Sequence, residues 1–302
     1  MQDQSAFRVF FNGHLNPILR EFEEKRRRLL LELGALLSIT IGVSIFLIFS
    51  DNLAILLFVP ILLWGIYAYL TNKIEKHIQA FKPRIIPDML SFMKADATYS
   101  PKAFISKDKF IKSGIFGVDP SLFRGEDMIE GNSGQIRFEI CELLVMHPSE
   151  ARAKLEKVFD GVFLYAALSQ SCNGRVFIVP KSKWQRNSRG IKNMVRAGAS
   201  ELEKTGNIAF DARFRVFYDQ SVNIKNVLSP RLLENMIRYH DFAKTEVYAS
   251  FINSDFYLSM QESFDLLDSS LFRSNLSFDK IYGFYRDLQF YLKIVEDVDR
   301  SQ

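Results

Sequence analysis

Two runs of apolar residues stand close together near the start of the chain. Leu29 to Phe49 reads LLLELGALLSITIGVSIFLIF and carries one charge, Glu32, while Leu53 to Leu70 reads LAILLFVPILLWGIYAYL and carries none. A helix needs about 20 mostly apolar residues to cross a bilayer core of roughly 30 Å, so each run predicts a membrane span. Only Ser50-Asp51-Asn52 separates them, which predicts an antiparallel transmembrane hairpin over 29–70. A buried hairpin of a soluble core fits less well, because soluble helices rarely stay apolar on every face for five turns. Gly34, Ser38 and Gly42 recur every four residues in the first run, a stripe suited to close helix packing, within the hairpin or in a homo-oligomer.

Residues 1–28 read as an amphipathic leader. Phe7, Phe10, Phe11, Leu15, Ile18, Leu19 and Phe22 fall at helical spacing, interrupted at Gly13 and Pro17. Such an aromatic stripe lies either in the membrane interface or on the soluble part. Residues 71–84 form a basic juxtamembrane linker, and from residue 85 the pattern changes to mixed helix and strand.

In 85–302, Pro87 opens a short helix to about Ala97, and Ser106 caps another that Gly114 ends. Phe123–Gly131 and Gln135–Met146 read as an antiparallel pair, the latter with Ile136, Phe138 and Ile140 on one face. Asp160–Ser171 and the following RVFIVP, joined at Asn173-Gly174, predict a hairpin. Residues 188–204 read as a helix and Phe210–Val216 as a strand. Ser229-Pro230 starts a helix to about His240, with Ser as cap and Pro at the first helical position. Glu246–Ile252 and Phe256–Met260 form a hairpin, and a last helix runs from Phe278 to Val298. The predicted fold is α+β: a transmembrane helical hairpin, then a cytoplasmic domain with a largely antiparallel sheet of about six or seven strands and several helices.

Charge sets the orientation. Lys25, Arg26, Arg27 and Arg28 precede the first run, Lys73, Lys76, Lys82 and Arg84 follow the second, and the turn between carries Asp51 and no base. Positive flanks stay cytoplasmic, so both termini are expected in the cytoplasm. Residues 1–84 hold 10 Lys/Arg against 7 Asp/Glu, and residues 85–302 hold 29 against 28. A nearly neutral soluble part argues against nucleic acid as partner. Two cysteines in 302 residues exclude a disulfide scaffold.

The order of these signals resembles an uncharacterised bacterial membrane-protein family, domain-of-unknown-function family 3137. The resemblance rests on the Phe-rich leader with its Glu/Arg cluster, the two close spans, FRGEDMIEG at 123–131 and VFDGVFLYAAL at 158–168. It also rests on FDARFRVFYD at 210–219, VLSPRLLENM at 227–236 and EVYASFINSDFYLSM at 246–260. The stretch 220–226 is less acidic than the family pattern. The resemblance implies a multi-pass protein of the bacterial inner membrane with a cytoplasmic domain of no established activity, and a partner of the LemA type, a small coiled-coil membrane protein.

Candidate chemistry is sparse. His14, His77, His147 and His240 lie far apart and Cys141 and Cys172 form no C-x-x-C, so neither a metal site nor a cofactor is expected. Cys172 stands beside Asn173 and near Arg175; it reads as a turn residue, or as a thiol with a lowered pKa. Glu126, Asp127 and Glu130 are the weak catalytic candidates. Strict alternation puts Glu126 and Glu130 on one face and Asp127 on the other, so two carboxylates meet only with help from another strand, for example Glu139. The plainer alternative is a polar strand end whose carboxylates pair with Arg124 or Arg137. Residues 181–196 hold six bases, one Trp and no acid. Lys181, Lys183, Trp184, Arg186, Arg189, Lys192 and Arg196 are the candidates for contact with anionic headgroups, against an ordinary solvated face.

These readings favour a membrane-anchored, non-enzymatic adaptor or complex subunit whose cytoplasmic domain binds another protein. Two alternatives are an enzyme acting at the membrane face on a lipid or peptide, and a lipid-handling or transport component.

Overall fold

The computed structural model describes residues 4–48, 53–148, 154–181, 189–243, 245–261, 270–274 and 276–299; of 47, 48, 53–59, 62, 189–191 and 299 it describes the backbone only. The chain divides into two compact units, one of residues 1–92 with 266–285 and one of residues 93–265 with 286–302.

The first unit is helical. Helix α1 (Gln4–Phe10) runs into a π-helical turn (Phe11–Leu15) and on into α2 (Asn16–Ile48). Gly13 therefore does not break the leader helix. The wide turn, in which Asn16 N–H reaches the Phe11 carbonyl, keeps Phe7, Phe11, Leu15, Ile18 and Leu19 on one buried stripe. The stripe packs on protein: Phe7 stacks on Tyr285 at 4.1 Å and touches Phe92, Phe278 and Tyr282, and Phe11 meets Phe278 edge-on.

Helix α3 (Leu53–Gln79) lies against α2, and α4 (Phe81–Phe92) follows with Pro87 inside it. The expected helix from Pro87 to about Ala97 thus starts six residues earlier and ends at Phe92, and Asp96 and Ala97 belong to a strand. Burial of Ile85, Ile86, Met89 and Leu90 outweighs the one backbone bond that Pro87 forgoes. Among the described residues one helix is long and apolar enough to cross a membrane, Gln4–Phe46, and only 11% of its apolar window is buried.

The second unit is built on nine strands: β1 (Asp96–Ser100), β2 (Leu122–Ser133), β3 (Ile136–Pro148), β4 (Leu155–Ala167), β5 (Arg175–Pro180), β6 (Ser200–Leu202), β7 (Phe214–Tyr218), β8 (Val247–Ile252) and β9 (Asp255–Met260). They form one antiparallel sheet in the order β1-β2-β3-β4-β9-β8-β5-β7-β6. The helices are α5 (Lys107–Lys112), α6 (Arg189–Arg196), α7 (Ile208–Arg213), α8 (Ile224–Val227), α9 (Pro230–Ala243) and α10 (Phe278–Asp299), whose second half belongs to this unit. The α+β class and the antiparallel sheet are as expected, with more strands than the pattern suggested.

Both faces of the sheet are buried, which is why the β4 sequence GVFLYAA is apolar without alternation. One face carries Cys141, Phe159, Phe163, Phe177, Phe217 and Tyr257, packed with Phe110 of α5 and Met194 of α6. The register row Ile129–Ile140–Leu164–Leu258–Ala249–Ile178–Val216 lies on the other.

Three local expectations change. The strands flanking Asn173-Gly174 do not pair, because β9 and β8 lie between β4 and β5. Asn173 does take the left-handed conformation (φ 54°), but the turn docks on the β8–β9 hairpin: Cys172 N–H donates to the Asn253 carbonyl and Asn253 N–H to the Gly174 carbonyl. The helix expected to Lys204 ends at Arg196, and Gly198 (φ 92°) turns the chain into β6. Phe210–Arg213 is helical, because Asn207 accepts bonds from the N–H groups of Ala209 and Phe210 and so caps α7.

Candidate functional site

The Glu126 region departs from simple alternation. Glu126 stands opposite Glu142, and Ile129 opposite Ile140. Asp127 and Met128 therefore occupy the space that one residue, Cys141, takes on β3. This is a β-bulge, and Asp127 adopts φ 60° to make it. An Asp tolerates that region better than most residues.

The bulge corrects the facing of the acids. Carboxylate oxygens of Glu126, Asp127 and Glu142 come within 4.8 Å of one another, while Glu130 lies opposite Glu139 and within 3.4 Å of Arg137. The strand that helps is β3, through Glu142 and not Glu139. Pairing is perpendicular to the strands, so opposite residues share a side of the sheet, and an extra residue resets the parity downstream.

Asp127 is buried, 6% exposed. Its N–H donates to the Pro101 carbonyl, and the Tyr99 hydroxyl donates to its Oδ1 at 2.5 Å. Burial, then the Asp127 bond and the neighbouring carboxylates, push the Tyr99 phenol far above its ordinary range. Tyr99 therefore remains a donor at every physiological pH. Three convergent carboxylates are the oxygen donor set that a hard divalent cation such as Mg²⁺ or Ca²⁺ takes. Sequence reasoning missed Tyr99 and Glu142; their only signal was a strand pairing that an acidic residue on each side had to share.

A second polar group crosses the opposite face beneath α5. Lys109 Nζ lies 2.6 Å from both Glu139 oxygens and 4.4 Å above the Tyr165 ring. Lys112 pairs with Asp255 at 2.6 Å, and the Tyr165 hydroxyl donates to Asp255 at 3.0 Å. Burial, with Asp255 second, raises Tyr165 to about 12. Lys109 and Lys112 are one turn apart on α5, and Glu139, Tyr165 and Tyr257 are register partners, so the group follows from strand order.

Of the basic segment, Lys181, Lys192 and Arg196 are exposed. Lys183, Trp184 and Arg186 lie outside the described residues, and Arg189 begins α6 with its side chain undescribed. The described part of the segment thus presents three bases to solvent. In the first unit, a Cβ built on Gly34 or Gly42 meets nothing within 4 Å among the described residues, and the Ser38 hydroxyl donates to the Gly34 carbonyl.

Neither cysteine is an activated thiol. Burial pushes Cys141 up to about 12, although the Ile105 N–H donates to its sulfur. Burial also raises Cys172, whose thiol donates to the Gly174 carbonyl. The turn reading of Cys172 stands.

Fold and site define the class: an α+β protein with a nine-stranded antiparallel sheet, an acidic cluster at a bulge, and an apolar N-terminal helix of membrane-spanning length. Residues 157–300 match the family model described as protein of unknown function (DUF3137), the family that the motifs resemble. No curated protein matches the chain. Among solved structures, the crystal structure of the mycobacterial trehalose monomycolate transport factor A, TtfA, aligns at 9% identity over 70% of this chain and 95% of that one, with a TM-score of 0.35. At that score the likeness bears on neither fold nor function.

Proposed function

We propose that this protein is a membrane-anchored adaptor or complex subunit, with a two-span hairpin, both termini in the cytoplasm, and a sheet unit that binds another protein at the inner face of the membrane. The observation that carries the anchoring is the exposure of the apolar helix. Leu31, Leu37, Ile39, Ile41, Ile45 and Phe46 are each more than half exposed along α2. Water penalises such surface by roughly 25 cal/mol per Å², and a bilayer removes the penalty.

The hairpin is supported by the pairing of Lys73, after the second apolar run, with Glu32, at the start of the first, at 2.7 Å. Tyr67 and Tyr69, exposed near the end of the second run, suit an interfacial aromatic belt. The partner that the family resemblance implies is a LemA-type membrane protein, and the exposed bases Lys181, Lys192 and Arg196 suit anionic headgroups.

Cysteine accessibility tests the topology: Asn52→Cys is expected to label from outside intact cells and Ser301→Cys only after permeabilisation. Outside labelling of Ser301→Cys overturns it. Mild-detergent purification from native membranes tests the adaptor, which is expected to retain a stoichiometric partner; recovery of the chain alone overturns that part.

A further inference from the structure

Just before the apolar run, α2 holds a short turn from the far end of the chain. Arg26 Nη1 donates to the Leu271 carbonyl at 2.8 Å, and the Ser274 hydroxyl donates to Glu23 Oε2 at 3.0 Å. Glu23 is in turn gripped by Arg26 through two bonds, at 2.9 and 2.6 Å, and by Arg27 at 3.2 Å. Arg273 N–H closes back on the Ser270 carbonyl, so residues 270–273 form a four-residue turn. Leu271 is buried, and Phe272, the next residue on the turn, is 75% exposed. Arg273 beside it is exposed, as are Arg27 and Arg28 on the helix.

A lone exposed Phe needs no explanation. This one is held by two hydrogen bonds at a defined height on α2. Arg26 precedes Leu29, where the apolar run starts, by three residues, about 4.5 Å of helix rise. The headgroup zone extends roughly 5–8 Å beyond the hydrocarbon on each side. The clamp therefore falls within that zone if the apolar run spans the bilayer. An exposed Phe next to Arg273, with Arg27 and Arg28 exposed on the same turn of α2, is the composition of an interfacial contact, apolar ring at the acyl boundary and guanidinium groups on phosphate.

We propose that the turn 270–273 is a membrane-interface anchor, with Phe272 inserted at the headgroup–acyl boundary of the leaflet that α2 enters and the three arginines on anionic lipid phosphates. The proposal rests on the spanning reading above. It fixes the height of the helical unit against the bilayer at a point 245 residues away in sequence from Arg26.

The test uses the full chain in vesicles of phosphatidylcholine and phosphatidylglycerol. One variant carries Trp64→Phe, Trp184→Phe and Phe272→Trp; the other carries Trp184→Phe alone and keeps Trp64 as reporter of the span. Lipids brominated near the headgroup end of the acyl chain are expected to quench both. The indole at position 272 is expected to show blue-shifted emission and resistance to aqueous iodide. Quenching of Trp64 with an iodide-accessible, unquenched indole at 272 overturns the anchor and leaves the span intact. A blue-shifted indole at 272 that bromine does not quench also overturns it, and points to a protein cover. Failure of bromine to quench Trp64 overturns the span and the anchor with it.

Discussion

Asp127 is held by its backbone conformation and, among its contacts, by the Tyr99 phenol. Removing the Tyr99 hydroxyl leaves a buried carboxylate short of a donor, which costs about 1–3 kcal/mol. Tyr99→Phe is therefore expected to lower the denaturation midpoint of the sheet unit by a corresponding amount; an unchanged midpoint means another group satisfies Asp127. The phenol of Tyr165 answers to pH. Its folded pKa is raised from 10 to about 12, so the neutral form is favoured in the native state. That contribution is complete below pH 10 and is lost as pH rises from 10 through 12. Tyrosinate absorbance is expected to show a late-titrating phenol that Tyr165→Phe removes.

At the scale of elements, the joints are tight where glycine permits close approach and polar where a helix crosses the sheet. A Cβ at Gly131 would stand 2.0 Å from the Asp96 carbonyl oxygen and 2.6 Å from the Ala97 Cα. Neither backbone atom can yield without moving β1. Gly131→Ala is expected to cost roughly 1–3 kcal/mol and to speed hydrogen exchange at residues 96–100, with the β3–β4 amides unchanged. Beneath α5, Lys109 neutralises Glu139, whose side chain is 5% exposed. Lys109→Met leaves that charge to Arg137 alone, at 3.7 Å, among the described residues. The expected loss is about 2–3 kcal/mol, below the 3–5 of a fully buried pair because Lys109 is itself 33% exposed. Combining Lys109→Met with Glu139→Leu is expected to restore most of it; equal loss in both proteins refutes the pairing as the cause.

At the scale of the molecule, the leader is structural. Phe7 and Phe11 complete a ring cluster with Phe92, Phe278, Tyr282 and Tyr285. A chain truncated to 85–302 is expected to keep the cooperative unfolding of its sheet but to bind more hydrophobic dye than the same fragment supplied with residues 1–28, because Phe278, Tyr282 and Tyr285 lose their cover. Dye binding indifferent to the leader counts against this.

What the amino-acid sequence determined alone is whatever depends on neighbours along the chain. The apolar length of 29–49, the Ser106 and Ser229 caps, the Asn253 hairpin, the last helix from Phe278 and the α+β class all follow from spacing and local capping chemistry. The Asn207 cap was equally local, yet the alternation of Phe210–Val216 hid it. Strand order required the tertiary structure, since Asn173-Gly174 reads as a hairpin turn whether β5 pairs with β4 or, as it does, with β7 and β8. The candidate site was half legible: Glu126 and Asp127 stood out, but Glu142 and Tyr99 joined them only through pairing. Periodicity assumes one residue per step, and a single left-handed residue at Asp127 adds a step. Two acids that alternation places on opposite faces then share one, and only the partner strand, 15 residues further along for Glu142, reveals which face it is.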